Sequence, residues 1–148
     1  MPSIIPSHIY MFLAMTIVGA LLIFSFNSFA STLRFVPEKK QLYNIITHIA
    51  EKATVLTILT MSNSTAKTSL NLPTSIGDRN YWIRLQNNTY QSWIEGGFGE
   101  TITNSVVYKM FIPGKPSVTG SYTGNSGTAF LKCYMNKSTV QLILTNGG

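Results

Sequence analysis

The hydrophobic pattern changes twice along this chain, and each change marks an expected element. From Ile9 to Phe26 it reads IYMFLAMTIVGALLIFSF, apolar all round a helix, and Arg34 is the first residue with a full charge. An uninterrupted span of ~20 apolar residues matches the hydrocarbon thickness of a bilayer. The span is expected to end at about Phe29 or Thr32, so residues 1–32 read as a lead-in and a transmembrane segment.

From Leu33 to about Ser62 the spacing becomes one-sided. Leu42, Ile45, Ile46, Ile49, Ala53, Leu56 and Leu59 recur at intervals of three and four, opposite Lys40, Asn44, Thr47, His48, Glu51 and Lys52. That predicts an amphipathic helix over 33–62 that continues the anchor. Pro37 before Glu38 predicts an interruption or bend between Leu33 and Leu42. The run SNSTAKTS, Ser62–Ser69, has the composition of a linker.

Beyond it the period falls to two. Strands are expected at Leu70 and Leu72, Tyr81–Leu85, Tyr90–Ile94, Ile102–Ile112, Ser117–Tyr122, Thr128–Met135 and Thr139–Thr145. In the last of these, Val140, Leu142 and Leu144 form the core face. Asn87-Asn88 and Asn136-Lys137 suit tight hairpins, while Gly96-Gly97-Phe98-Gly99, Pro113-Gly114 and Gly124-Asn125-Ser126-Gly127 suit wider turns. The expected fold class is therefore α+β: a long N-terminal helix followed by an antiparallel β domain over 63–148, either sandwich-like or a strongly curved sheet.

Composition narrows the function classes. The net charge is +6 from eleven basic and five acidic residues, but apart from Lys39-Lys40 the cations are scattered singly, without the clustering that nucleic acid requires. A lone Cys133 excludes an internal disulfide and reads as a small buried side chain. The two histidines, His8 and His48, and the scattered acids assemble no expected metal site or nucleophilic triad. No catalytic residue, cofactor, metal or small-molecule substrate is expected. Trp93 and Phe98, in the glycine-rich WIEGGFGE segment, are read as a mobile loop tip for partner contact. Small residues Ala14, Gly19, Ala20 and Ala30 are candidate close-packing positions for neighbouring helices.

Several segments carry a family resemblance: Gln41-Leu42-Tyr43-Asn44 through Ile58-Leu59-Thr60, Leu72-Pro73-Thr74-Ser75-Ile76-Gly77, Tyr81-Trp82-Ile83-Arg84-Leu85, and Ser121-Tyr122-Thr123-Gly124-Asn125-Ser126-Gly127. With the helix-then-strands layout, they make the chain resemble archaeal type IV pilin-like or archaellin-like membrane-anchored proteins. The resemblance implies a structural subunit or accessory component of a surface filament or related machine. It also implies a homo-oligomer, or a hetero-oligomer with other pilin-like or envelope proteins, with the C-terminal domain outside the cell. Two departures favour an accessory component. No Lys or Arg precedes Arg34, where family members usually carry a basic residue and a glycine before a processing site. The first acid is Glu38, so the pairing of an acid with a neighbouring subunit's N-terminal amine seen in bacterial relatives is missing.

Other signals compete. Arg34, Lys39 and Lys40 after the span would by the positive-inside rule hold the β domain in the cytoplasm, whereas the resemblance and the Ser/Thr/Asn-rich, charge-poor β domain favour the outside, the orientation adopted. Ser28-Phe29-Ala30 has the form of a signal-peptidase site, but the apolar run is longer than the usual 7–15 residues and lacks a preceding positive charge. Sequons at Asn63, Asn87 and Asn136 are candidate glycosylation acceptors, although eleven asparagines with thirty-two Ser and Thr yield about two or three by composition alone. The competing functions are a monomeric anchored envelope protein displaying a binding domain, and a non-catalytic small subunit of a membrane complex.

Overall fold

The computed structural model describes residues 4–61 and 64–147. One α-helix, α1 (Ile4–Thr60), is followed by seven strands: β1 (Ala66–Leu70), β2 (Tyr81–Asn87), β3 (Ser92–Phe98), β4 (Tyr108–Ile112), β5 (Ser117–Thr123), β6 (Ala129–Asn136) and β7 (Thr139–Asn146). The fold is α+β, a helix and then a β domain. By contacts the chain forms two compact units, Met1–Pro37 and Glu38–Gly148.

Within the first unit the apolar window of the helix is exposed. Three of its hydroxyls bond back along the helix: Thr16 donates to the Phe12 carbonyl at 2.8 Å, and Ser31 and Thr32 donate to the Ser28 carbonyl at 2.8 and 3.0 Å. Polar side chains that bond back along their own helix leave its surface effectively apolar. The helical backbone continues through Pro37, so of the interruption or bend expected between Leu33 and Leu42 the interruption is absent. An interior proline removes one backbone bond and costs about 3 kcal/mol, a cost spread over a 57-residue helix.

In the second unit the strands form one seven-stranded sheet in the order β1-β6-β7-β5-β2-β3-β4. Every neighbouring pair is antiparallel except β5 and β7, which run parallel with Val118 opposite Leu142. The layer facing the sheet is not a second sheet, as a sandwich would need, but the amphipathic part of α1. Leu42, Ile46, Ile49, Ala50, Ala53 and Leu56 are buried against Leu70, Tyr81, Ile83, Leu85, Ile94, Ile112, Tyr122, Leu131, Cys133, Leu142 and Leu144. Val140 is also in this core, so the face expected from the alternation in β7 is the buried one.

The helix stripe departs from expectation at its end. Thr57 and Thr60 take the inward positions, their hydroxyls bonded to the carbonyls of Ala53 and Leu56 at 2.8 and 2.7 Å. A threonine satisfied in this way is buried at little cost. Leu59, expected in the stripe, is therefore turned outward with Val55, Ile58 and Met61, all more than half exposed.

The largest correction concerns WIEGGFGE. Most of it is not a loop, because Ser92–Phe98 is strand β3, paired along its length with β2 from Asn87–Ser92 to Tyr81–Phe98. The glycines serve close approach on both faces. A Cβ on Gly96 would lie 2.9 Å from Ile46 Cδ1 of the helix, and one on Gly97 would lie 2.8 Å from the Trp82 ring and 2.6 Å from the Ser105 carbonyl. The stretch before β4, expected as strand from Ile102, instead passes over Trp82. The turns at Pro113-Gly114 and Gly124–Gly127 stand as expected, with Gly114 at φ 85° and Gly127 at φ 79°.

Strand direction gives the sheet two ends. At one lie the start of β2 and the end of β5; there a Cβ on Gly77 would lie 2.9 Å from Glu38 Oε1. At the other lie the β2–β3 and β6–β7 hairpin turns and the β4–β5 turn, where Gly114 faces Thr57.

The account of Gly97 predicts that Gly97→Ala lifts the Trp82 indole and the segment above it. Overpacking of this kind costs about 1–3 kcal/mol. Denaturant midpoints of the full chain in detergent would show the loss, whereas Gly19→Ala, where a Cβ meets nothing within 4 Å, should cost nothing.

Candidate functional site

Three surfaces carry the unusual chemistry of this chain. The first is the apolar helix. Residues Ile9–Phe29 span about 31 Å at 1.5 Å per residue, close to the ~30 Å hydrocarbon core. The helix is long and apolar enough to cross a membrane, and none of its apolar window is buried within the chain. Sixteen large apolar side chains from Ile9 to Val36 are exposed. Fully burying one is worth about 1.5–3 kcal/mol, so leaving the set in water would cost on the order of tens, more than the 5–15 kcal/mol that holds a domain folded.

The candidate packing residues do not share one stripe. At ~100° per residue, Gly19 and Ala30 fall within ~20° of one another, whereas Ala20 and Ala14 lie ~100° and ~140° from Gly19. Gly19 is half-buried by its own helix and the three alanines are exposed.

The second surface is the outward side of α1 in the β-bearing unit. Lys40, Asn44, His48, Glu51 and Lys52 are exposed there as the spacing predicted. They give way to Val55, Ile58, Leu59 and Met61, an apolar patch at the helix end. Four clustered apolar side chains at helical spacing are a docking feature that scattered surface residues are not.

The third is the face of the sheet turned away from the helix. Across β2, β3 and β4, Arg84 pairs with Glu95 and Glu95 with Lys109. Glu95 is buried, accepting from Arg84 Nε at 2.8 Å, from Arg84 Nη2, and from Trp93 Nε1 at 3.0 Å. Cations lie over rings on both halves of this face: Lys109 Nζ is 3.9 Å from the Trp93 centroid, and Lys67 Nζ is 4.1 Å from that of Phe130. Such contacts are worth about 0.5–1 kcal/mol at exposed sites.

Trp93 and Phe98 do not form one contact surface. Trp93 lies on this outer face in edge contact with Phe111, at 6.4 Å between centroids. Phe98 is half-buried, packs against the core on the helix side, and has Arg79 over its ring at 5.4 Å. Two-residue alternation along β3 separates them, and reading the glycines as a loop had concealed it.

Three of the segments that carried the resemblance, Leu72–Gly77, Tyr81–Leu85 and Ser121–Gly127, meet at the Glu38 end of the sheet. Tyr81 donates its hydroxyl to the Pro73 carbonyl at 2.6 Å, and Gly124 lies against the Thr74 carbonyl so closely that no Cβ fits. Tyr122 donates to the carbonyls of Gly124 and Gly127 at 3.2 and 2.9 Å. Burial pushes both phenols above the usual tyrosine range, Tyr81 the further. They are neutral structural clamps, not titrating groups.

Asn87 and Asn136 are exposed at hairpin turns, while Asn63 lies outside the described residues. Cys133 is fully buried in the core and His48 is exposed on the far side of the helix. Among the described residues no group of three or more His, Cys, Asp or Glu could hold a metal ion. Comparison with protein families, curated proteins and solved structures returns no match.

The Glu95 cluster generates a prediction. Glu95→Ala strands the Trp93 N–H and leaves Arg84 unpaired beside Trp82, and because Arg84 keeps about a quarter of its side chain exposed the expected loss is about 2–3 kcal/mol, below the 3–5 of a fully buried pair. Glu95→Gln, which keeps an acceptor for Trp93, should lose less. Equal losses in equilibrium unfolding would contradict the part assigned to the Trp93 hydrogen bond.

Proposed function

We propose that this chain is a structural, pilin-like subunit or accessory component of an archaeal type IV filament or related surface machine, assembled through its N-terminal apolar helix with the β domain outside the cell. The observation that carries the reading is a helix, apolar on every side, that runs without a break into the core of a β domain. A helix satisfies its own backbone bonds, so lipid and a bundle of like helices are interchangeable surroundings for it. The patch of Val55, Ile58, Leu59 and Met61 adds support, since a helix packed among copies of itself needs apolar surface beyond the bilayer as well as within it.

In this role the chain supplies no catalytic residue and takes no cofactor, metal, nucleic acid or small-molecule substrate. Its partners are the membrane and other copies or related envelope proteins.

A monomeric anchored display protein is the second reading, favoured by the cation-lined outer sheet face. The two part on Gly19. Apart from its immediate neighbours and the backbone of its own helix turn, nothing among the described residues lies within 4 Å of a Cβ there, and replacing a mid-helix glycine by leucine favours the isolated helix by up to ~1 kcal/mol. Gly19→Leu should leave the folded chain and its membrane insertion intact while lowering its recovery in assembled complexes at least tenfold, as read by crosslinking in membranes and native gel analysis. Unchanged assembly would select the display reading.

A further inference from the structure

Sequons arise by chance in strands and cores as readily as in turns, so the triplet alone carries little. What the fold adds is where Asn87 and Asn136 stand. Asn87 closes β2 opposite Ser92, and Asn136 closes β6 opposite Thr139. Both are exposed, and so are Thr89 and Ser138, the hydroxyl residues of their triplets. The strand directions put both hairpins at the same end of the sheet, opposite the end that holds Glu38, where the chain enters the β-bearing unit.

The side chains are also chemically available. In the first hairpin it is the middle residue that holds the turn: Asn88 Oδ1 accepts from the backbone N–H groups of Tyr90 and Gln91 at 2.9 and 2.7 Å. The turn is thus held through the Asn88 side chain rather than that of Asn87. In the second, Lys137 at φ 56° and Ser138 at φ 150° make the turn with backbone alone, which leaves the Asn136 amide outside it. An acceptor triplet must be drawn into an enzyme's cleft as a short exposed loop, and both hairpins offer that with no core residue to displace.

We infer that Asn87 and Asn136 are N-glycosylated, which places two oligosaccharides on the end of the β domain opposite Glu38. The side-chain nitrogen forms a bond to the anomeric carbon of a lipid-carried, phosphate-activated oligosaccharide. The anomeric C–O bond to phosphate breaks, the phosphate leaves with the electron pair, and the amide nitrogen loses one proton. Such glycans would cover the turns between strands and direct lateral contacts to the helix and the sheet faces. The inference rests on the proposed orientation, with the β domain outside the cell.

The full chain, recovered from the membranes of its source cells, would be digested and its Asn87 and Asn136 peptides analysed by mass spectrometry for sugar increments and fragment ions. In parallel, a protease would be added to intact cells. The expected result is an increment on both peptides, with Thr89→Ala abolishing the first alone and Ser138→Ala the second alone. Both substituted residues are exposed, so the fold is retained. Bare asparagines in a domain that the external protease digests would overturn the glycosylation and leave the proposed function standing. Bare asparagines in a domain protected from the protease would overturn the orientation and the glycosylation together. An increment on one peptide only would overturn the assignment of the other.

Discussion

Everything in this protein hangs on one helix that must be stable in two surroundings. From Leu42 to Leu56 it buries a one-sided stripe under a seven-stranded sheet. None of its apolar window is buried within the chain. The first arrangement is self-sufficient, and each fully buried Leu or Ile contributes about 1.5–3 kcal/mol to the fold. The second is incomplete, and the unpaid cost of exposure exceeds what any small domain can supply. The helix is long and apolar enough to cross a membrane, and lipid or other helices of the same kind are the surroundings that suit such a surface.

The sheet is shaped by how near that helix comes. Gly96 lets Ile46 sit on β3, and the adjacent Gly97 lets Trp82 lie flat on the opposite face. A strand with no Cβ at two successive positions admits close neighbours above and below. Beyond it, Arg84, Glu95, Trp93 and Lys109 form a tight polar and aromatic lattice, so the outer face of this half of the sheet is ordered rather than merely solvated.

Much of this was legible in the sequence because the periodicities are strong. The apolar run, the stripe from Leu42 to Leu56, the later strands and the core face of β7 follow from spacing alone, whereas Ala66–Leu70, most of it read as linker, is strand β1. The misreadings share a physical origin, which is that a residue's local preference was outweighed by its surroundings. Gly96 and Gly97 look like turn residues until the helix and Trp82 are placed over them. Thr57 and Thr60 look polar until their hydroxyls are bonded to their own helix, which turns Leu59 outward. The packing of Tyr81 on Pro73 and of Gly124 on Thr74 joins segments distant in sequence, and no local pattern announces it. Of the candidate site residues, the small helix positions and the sequons were visible as residue types. That both described sequons share one end of the sheet required the fold.

The most direct test of a helix completed by like helices is to shear intact source cells and follow the peptides of this chain by mass spectrometry in the released and membrane fractions. The account predicts their enrichment in sheared, sedimentable assemblies together with other helix-anchored subunits. Retention of the whole chain in the membrane fraction as a monomer, with none released, would contradict it.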